Sequence, residues 1–378
     1  MSERVERAVA AVAEPDAAVG RAVQARLDLK TKPRGSLVGL ERLAVRIACI
    51  QRSESPVLGT PVVIVCAADH GVAAEGVSAY PASVTAQMVA NYAAGGAAVS
   101  VLARHAGARL VVVDCGVAEP LAVAGVLDRR IGPGTASMLR GAAMTRAQAI
   151  QALETGIALA EEELGEAGVV ALGEMGIGNS TSAAALTCAL TGADPAVACG
   201  RGTGLDDEGL ARKVAVVAGA LERNGLRGPS DRSLARSEPG QTPGHPSLTP
   251  GAPFGGDAVG ILAAVGGFEL GVLAGIALGA AGRNVPVLID GYPASAAVLV
   301  AAALAPGLPC SLIAAHRSSE PGHRIVLEAL GLQPLLDLEL RLGEGSGAAL
   351  ALPLLAAALK ILDEMATFAA AGVDDSGR

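Results

Sequence analysis

Five short runs of apolar, mostly β-branched residues recur along the chain, and each ends in a glycine or a polar side chain. The runs are PVVIVCAADHG (61–71), RLVVVDCG (109–116), GVVALGE (168–174), VPVLIDG (285–291) and CSLIAAH (310–316). Polar residues do not alternate with apolar ones in these runs, and helix-forming stretches such as TRAQAIQALETGIALAEEELG lie between them. This pattern is typical of parallel strands that are buried on both faces. The sequence therefore predicts an α/β protein with a parallel sheet covered by helices on both sides.

Polar side chains stand where several of the predicted strands end. In parallel α/β sheets, ligands bind at the carboxyl ends of the strands. The residues predicted at that edge are Asp69, His70, Asp114, Glu174, Asp290 and His316.

The length of 378 residues exceeds the usual size of one compact core. Residues 1–54 and 335–378 are mainly helical, so we expect them to form one smaller helical domain beside an α/β domain of residues 55–334. Residues 227–256 contain six prolines and six glycines without helix or strand periodicity. They are predicted to form an exposed loop.

Composition argues against several classes of protein. The net charge of −8, the aromatic content of 2% and the lack of tryptophan disfavour nucleic-acid binding. Six cysteines without a CxxC motif, and an N-terminus without an apolar export signal, predict a cytoplasmic protein with reduced thiols. Residues 258–282 are long enough to span a bilayer, but the central Glu269 and the absence of basic or aromatic flanks favour a buried helix of a soluble protein.

Two glycine-rich turns are candidates for anion binding. In LGEMGIGNSTSAAAL a strand leads through glycines into a helix opened by Asn179, Ser180 and Thr181. Backbone N–H groups and the helix dipole at such a turn can hold a phosphate, although an ordinary capped turn has the same sequence. In CGRGTGLDDEGLARK a second turn precedes a helix carrying Lys213, which is either a phosphate ligand or an exposed lysine.

The remaining chemistry lies with two carboxylates. The spacing of the five histidines fits no zinc motif, and no serine or cysteine nucleophile motif is present, so no metal site is predicted. Glu174 in GEMG and Glu344 in GEGS both lie between small residues. A carboxylate shielded from water has a raised pKa and can serve as a general base near neutrality. For Glu344, a favourable charge at the start of the following helix is an equal alternative.

Taken together, the motifs closely resemble the nicotinate-nucleotide:dimethylbenzimidazole phosphoribosyltransferase family. The resemblance runs in order along almost the whole chain and includes TKPRGSLVGLERLA, ADHGVAAEGVSAYPASVTAQMV, LGEMGIGNSTSAAAL, GRGTGLD, VGGFELGVLAGIALGAA and HRSSEPGHRIVLEALGLQPLLDLELRLGEGSGAALAL. It implies a doubly wound, mainly parallel Rossmann-like sheet, a smaller helical domain built from both chain ends, and a homodimer. It also implies an enzyme without a cofactor that transfers a 5-phosphoribosyl group from nicotinate mononucleotide to 5,6-dimethylbenzimidazole in cobalamin lower-ligand assembly.

The resemblance also implies roles for individual residues. Glu344 matches the family's general base, and Glu174 is a second carboxylate near the ribose or the developing positive charge. The predicted nucleotide and phosphate ligands are Gly176, Gly178, Asn179, Ser180, Gly202, Thr203, Lys213 and Ser295. The predicted benzimidazole pocket comprises Tyr80, Gln87, Met88, Met175 and Leu342. The segment HRSSEPGH fits the family but receives no role.

Three alternatives to this function remain at the level of sequence. The first is a transferase that uses another aromatic acceptor, such as adenine or a phenol. The second uses phosphoribosyl pyrophosphate, although the acidic pair and phosphate loop typical of such enzymes are missing. The third is a nucleotide-binding protein on the same scaffold without catalysis.

Overall fold

The computed structural model describes residues 1–226 and 257–374, and the predicted loop 227–256 lies outside the described residues. The strands are β1 (Val62–Ala68), β2 (Arg109–Gly116), β3 (Val126–Asp128), β4 (Val170–Met175), β5 (Val287–Ile289) and β6 (Leu312–Ala314). The helices are α1 (Glu3–Ala11), α2 (Ala17–Asp28), α3 (Gly39–Gln51), α4 (Val84–Ala93), α5 (Ala98–His105), α6 (Arg146–Glu163), α7 (Asn179–Thr191), α8 (Pro195–Ala198), α9 (Asp207–Arg223), α10 (Ala258–Val265), α11 (Phe268–Gly282), α12 (Tyr292–Leu304), α13 (Pro321–Leu330), α14 (Ser346–Glu364) and α15 (Phe368–Ala371).

The six strands form one parallel sheet in the order β3-β2-β1-β4-β5-β6. This is the doubly wound order, in which the direction of strand addition reverses between β1 and β4. All five predicted strands are present, which confirms the predicted fold class. The short strand β3 was not predicted, because its three partly exposed residues lie at the sheet edge and show no apolar run.

Each face of the sheet has its own apolar core. Along β1, Val62 and Ile64 pack into the core formed with helices such as α6, α7, α11 and α12. Val63 and Val65 point to the opposite side and pack with α3, α4, α5 and α14. Both faces of the strand are buried, which explains why polar residues do not alternate with apolar ones in its sequence.

Three helices from the two chain ends, α2, α3 and α14, pack against one another. A buried ion pair of 2.9 Å joins Lys32 to Glu41, and the Lys30 ammonium donates to the Met365 carbonyl at 2.7 Å. Helix α1 instead packs on α6 and α11, at the other face of the sheet. The proposed division into domains at residues 54 and 335 stays a prediction.

The apolar segment 258–282 forms two helices rather than the single helix expected. It breaks at Gly266 and Gly267 into α10 and α11, and the side chains of both helices are almost completely buried. Glu269 is paired with His70 at 2.6 Å in the interior. Within the described residues, only α14 has the length and composition to cross a membrane, and 56% of its most apolar window is buried in the protein.

Helices α6 and α11 approach so closely that their contact requires glycine. A Cβ atom at Gly156 would lie 2.0 Å from the Val272 carbonyl oxygen, and one at Gly275 would lie 2.1 Å from that of Leu153. The glycines at 271, 275 and 279 therefore serve the packing of α11 on α6 in the core.

Substitution of Gly275 by alanine should therefore destabilise the protein. We expect Gly275→Ala to lower the free energy of unfolding by about 1–3 kcal/mol, because the backbones must separate to admit the methyl group. Gly39→Ala in α3 is the matched control, since nothing lies within 4 Å of its Cβ position. Urea denaturation of both variants would measure the difference, and equal stability of the two would contradict the packing argument.

Candidate active site

The first part of the site is the turn between β4 and α7. Glu174 is the penultimate residue of β4, and Asn179 begins α7 after Gly176, Ile177 and Gly178. Gly178 has a left-handed φ of 98°, and a Cβ at Gly176 would lie 2.5 Å from the Ala68 carbonyl oxygen of β1. The predicted strand, glycine turn and helix are confirmed, and the turn lies between β1 and β4, where the strand order reverses.

The second part is the loop that precedes α14. Gly343, Glu344 and Gly345 all have positive φ angles, of 82°, 66° and 84°. Glu344 is not a glycine, so this left-handed conformation costs on the order of 1 kcal/mol and must be held by its surroundings. A Cβ at Gly173 of β4 would lie 2.4 Å from the Glu344 carbonyl oxygen. The loop therefore rests directly on β4, and a Cβ at Gly343 would lie 2.6 Å from Oε1 of Glu174.

Asp290, the residue after β5, holds this loop in place. Its Oδ2 accepts a hydrogen bond from the Gly345 N–H at 3.1 Å, and its Oδ1 accepts one from the Ala348 N–H at 2.8 Å. Nε2 of His316 lies 3.5 Å from Oδ1 of Asp290. The sequence placed Asp290 correctly at the strand edge but did not identify its anchoring role, which depends on a loop more than fifty residues later.

The two candidate carboxylates are both buried, with Glu174 5% and Glu344 7% exposed. Burial, followed by the charge of Asp290, raises the pKa of Glu174 well above its usual value, while a hydrogen bond from the Asn179 amide opposes this. Burial also raises the pKa of Glu344, Tyr92 lowers it and Asp290 raises it further. Each carboxyl group is thus more basic than in water.

Tyr92 is a residue of the site that the sequence interpretation missed. Its hydroxyl is buried without a hydrogen-bond partner of normal geometry among the described residues, beside Glu344. Thr85 lies two turns earlier on the same face of α4 and accepts a hydrogen bond from the Ile177 N–H at 3.2 Å. Met88 lies between them on this face. Thr85, Met88 and Tyr92 are spaced by three and four residues, which places them on one face of a helix. This spacing could have identified Tyr92 from the sequence.

Lys213 lies in the interior and is 0% exposed, so it is not a surface lysine. Its ammonium donates to Oγ of Ser180 at 3.0 Å and to the Gly200 carbonyl at 3.1 Å. Burial lowers the pKa of Lys213, and the charge of Glu320 counteracts this effect. The side chain therefore joins the start of α7 to the second glycine turn.

A cavity of about 540 Å³ opens at the second glycine turn. It is lined by Cys199, Gly200, Arg201, Gly202, Gly204, Leu205, Leu210, Ser319, Glu320, Pro321 and Arg341. The cavity therefore extends from the Gly202 turn to Arg341, which lies three residues before Glu344 in the chain. Part of its wall comes from the segment HRSSEPGH, to which sequence analysis assigns no role.

The other predicted site residues differ in their exposure. Met88 and Met175 are half-buried against the core, whereas Tyr80 and Leu342 are 52% and 55% exposed. Thr203 is exposed, and Gln87 is exposed on a different face of α4 from Met88. Ser295 is fully buried, its hydroxyl lies 2.9 Å from Nε2 of His323, and it does not line the cavity.

Metal ligation finds little support in the described part of the chain. No group of three His, Cys, Asp or Glu side chains in residues 1–226 and 257–374 could hold a metal ion. The ring nitrogens of His323 lie within hydrogen-bond distance of Ser295 and of the Ser318 N–H. Those of His70 lie within hydrogen-bond distance of Ser182 and Glu269.

Comparison with known proteins agrees with this architecture. A family model described as phosphoribosyltransferase matches residues 12–237 and 247–373. The chain is 50% identical to the nicotinate-nucleotide--dimethylbenzimidazole phosphoribosyltransferase of Roseiflexus sp. (strain RS-1) over 97% of this chain and 96% of that protein. It is 49% identical to the protein of the same name from Azotobacter vinelandii over 92% of each.

Solved structures give the same result. The crystal structure of CobT from Thermus thermophilus superposes with a TM-score of 0.83 at 46% identity, covering 95% of this chain and 100% of that one. The similarity in sequence and in structure thus extends over nearly the whole length of each protein. The chain therefore belongs to the nicotinate-nucleotide--dimethylbenzimidazole phosphoribosyltransferase family.

Proposed function

We propose that this protein transfers the 5-phosphoribosyl group of nicotinate mononucleotide to 5,6-dimethylbenzimidazole, with Glu344 as the general base. It is a pentosyltransferase that acts in cobalamin lower-ligand assembly, as expected for its family. The observation that carries the base assignment is the buried Glu344 carboxylate, which has a raised pKa and is held on β4 beside Glu174.

The reaction forms one bond to the anomeric carbon and breaks another. The unprotonated ring nitrogen of the benzimidazole attacks C1′ of the ribose while the bond to the pyridinium nitrogen breaks. The pyridine nitrogen retains that electron pair, so nicotinate leaves without an added proton. The other benzimidazole nitrogen transfers its proton to Glu344, and the product is α-ribazole 5′-phosphate. The change from the β to the α configuration requires that nucleophile and leaving group lie on opposite faces of C1′.

A base with a raised pKa suits this proton transfer. The N–H of the attacking heterocycle becomes acidic only as the new bond forms, so a carboxylate with a raised pKa can accept its proton in the transition state. The ribosyl pyridinium already contains a good leaving group, so the chemistry needs no metal to neutralise a departing pyrophosphate. We assign Glu174 to the ribose, where its carboxyl group accepts hydrogen bonds from hydroxyl groups and faces the developing positive charge.

The 5′-phosphate fits the pair of glycine turns. Gly176, Gly178, Asn179 and Ser180 supply the turn and the N-terminus of α7, which favours an anion. Gly202 comes from the second glycine turn, and Lys213 on α9 contributes a positive charge that is shielded from water. The assignment of Thr203 and Ser295 to this site stays a prediction.

The acceptor fits beside α4. Met88 and Met175 offer an apolar, adaptable surface for a flat heterocycle, and Tyr80 and Leu342 lie at its exposed margin.

The exposure of the Tyr80 and Leu342 side chains supports our proposal that the protein acts as a homodimer, in which a second subunit covers part of this margin. We also propose a cytoplasmic location. One methyl group in an apolar pocket discriminates by only about 10–200-fold, so acceptor choice depends on the bases available.

Substitution of the base tests the proposed reaction directly. Glu344→Gln should reduce kcat by about 10²–10⁴ without loss of the fold, because glutamine cannot accept the proton. Chromatographic measurement of nicotinate release, with and without 5,6-dimethylbenzimidazole, would establish the rate and its dependence on the acceptor. Glu339→Gln, an exposed carboxyl change in the same stretch, is the control. A Glu344→Gln variant with nearly normal release would exclude Glu344 as the base.

The pH profile tests the environment of the base. Since Glu344 must be ionised, kcat/KM should fall as the pH decreases through its raised pKa, above the usual carboxyl value of 4.5. Tyr92 lowers that pKa, so Tyr92→Phe should move the acidic limb of the profile to higher pH. Tyr292→Phe, which removes a buried hydroxyl bonded to Thr187 at 3.1 Å, should leave the limb in place. A shift of the Tyr92→Phe profile to lower pH would contradict the assignment.

Loss of the buried lysine should separate the two substrates. We expect Lys213→Ala to raise KM for nicotinate mononucleotide by about tenfold or more, because a charge-assisted bond to the phosphate is lost. KM for 5,6-dimethylbenzimidazole should change little. Arg223→Ala, at the exposed end of the same helix, controls for the change in net charge. Equal increases for both substrates would place Lys213 outside the phosphate site.

A further inference from the structure

Residues 316–323, the HRSSEPGH segment, run from the end of β6 into the first turn of α13 and contribute to the cavity wall. We propose that this segment positions the loop at residues 343–345, which carries Glu344 and is called the base loop, relative to the second glycine turn at residues 200–204, called the phosphate turn. Glu320 is the positioning residue that holds this turn at Gly202. The inference rests on the proposed function, because it assumes that the two loops bind the two ends of one substrate.

One end of the segment holds the base loop. His316 lies against α14 so closely that a Cβ at Gly347 would be 2.1 Å from its Cδ2, and it lies 3.5 Å from Asp290. Asp290 in turn accepts the two backbone hydrogen bonds that fix the loop carrying Glu344. The position of His316 is therefore linked to that of Glu344 through one carboxylate.

Backbone hydrogen bonds extend this connection along the chain that leads into the base loop. The Arg317 N–H donates to the Leu336 carbonyl at 2.8 Å, and the Ser319 N–H donates to the Leu340 carbonyl at 3.1 Å. Residues 336–340 therefore run beside the segment until four residues before Glu344. Motion of either stretch would carry the other with it.

The centre of the segment is held by His323. Its Nδ1 accepts a hydrogen bond from the Ser318 N–H at 2.9 Å, and its Nε2 lies 2.9 Å from Oγ of Ser295 on α12. Burial, and then the neighbouring His316, lower the pKa of His323 to about 3. The imidazole is therefore neutral at physiological pH, which leaves Nδ1 able to accept the backbone hydrogen bond.

The other end of the segment holds the phosphate turn. Oε1 of Glu320 accepts a hydrogen bond from the Gly202 N–H at 2.9 Å. Its Oε2 is buried against Gly200, where a Cβ would lie only 2.3 Å away, and has no hydrogen-bond partner among the described residues. Lys213 holds the same turn from its other side, through the Gly200 carbonyl. The turn is thus fixed by its N–H through Glu320 and by its carbonyl through Lys213.

For an electrostatic reason, Glu320 is assigned to positioning the turn and not to direct contact with the substrate phosphate. An ionised carboxylate repels a phosphate, so Glu320 would weaken binding if its charge were its contribution. The Gly202 N–H hydrogen bond offsets that disadvantage by keeping the left-handed Gly202, with a φ of 54°, in the conformation of the turn. The geometry of the hydrogen bond, and not the charge, is therefore what the segment supplies.

The test compares two ligands that differ only in the phosphate. Calorimetric titration, without an acceptor, would measure Kd for nicotinate mononucleotide and for nicotinate riboside. Wild-type protein should prefer the nucleotide, and Glu320→Ala should reduce that preference by about tenfold or more, since the hydrogen bond that fixes the Gly202 turn is lost. Glu320→Gln should keep the preference, because its amide oxygen can still accept from Gly202.

Two further variants complete the set. Glu328→Ala removes an exposed carboxylate from α13, so it matches the charge change and should keep the preference. Glu320→Asp keeps the charge but is too short to reach Gly202, so it should lose the preference as Glu320→Ala does. The aspartate variant also decides the question if Glu320→Ala fails to fold.

The outcomes distinguish the inference from the proposed function. An unchanged preference in Glu320→Ala or Glu320→Asp, or a loss in Glu320→Gln as large as that in Glu320→Ala, would overturn the positioning role while acceptor-dependent nicotinate release by wild-type protein still supported the reaction. The expected binding pattern without any such release would reject the reaction and retain the positioning role. A wild-type protein that did not prefer the nucleotide would overturn the positioning role in either case.

Discussion

The contact between the loop that carries Glu344 and strand β4 determines the arrangement of the site. The Glu344 backbone lies where any side chain at Gly173 would stand, and Asp290 fixes the loop through two backbone hydrogen bonds. These interactions hold Glu344 in a left-handed conformation that a non-glycine residue rarely adopts. They also bring its loop against Glu174, so the two carboxylates occupy one site although 170 residues separate them along the chain.

Burial of like charges gives the site its chemical character. Glu174, Glu344 and Asp290 lie together in the interior, and the charge of Asp290 raises the pKa of both glutamates. Asp290 itself receives two N–H groups, and Glu174 receives the Asn179 amide, so the desolvation of these carboxylates is partly compensated. Such an environment favours bound groups that carry or develop positive charge and donate protons. A ribosyl pyridinium carries a positive charge, and the benzimidazole develops one and gives up a proton as it attacks C1′.

The positive charge of the site comes from Lys213. Lys213 is buried beneath the second glycine turn and is bonded to Ser180 at the start of α7. The dipole of α7 and the lysine therefore act on the same region, with little water to screen them. The HRSSEPGH segment contacts both regions, because Glu320 accepts a hydrogen bond from the Gly202 N–H and His316 lies beside Asp290.

The sequence alone determined the fold class, because strands buried on both faces must be continuously apolar and this pattern is visible locally. It also located the glycine turns and the carboxylates at strand ends, since glycine and acidic residues next to buried strands are recognisable without knowledge of contacts. Resemblance to a family then supplied the reaction, and the comparisons agree with it. Short β3 escaped detection because three residues show no periodicity, and the helix expected at 258–282 breaks at two glycines.

Only the tertiary structure decided which polar groups act together. The anchoring role of Asp290, the position of Tyr92 beside Glu344 and the contact of Glu320 with Gly202 all join residues that are distant in sequence. Lys213 shows the same limit, because its sequence is that of an ordinary helix and only packing places its ammonium in the interior. Local patterns record the preference of each segment for burial and backbone shape. Hydrogen bonds and pKa values depend on neighbours that the folded chain brings together, and no local pattern contains them.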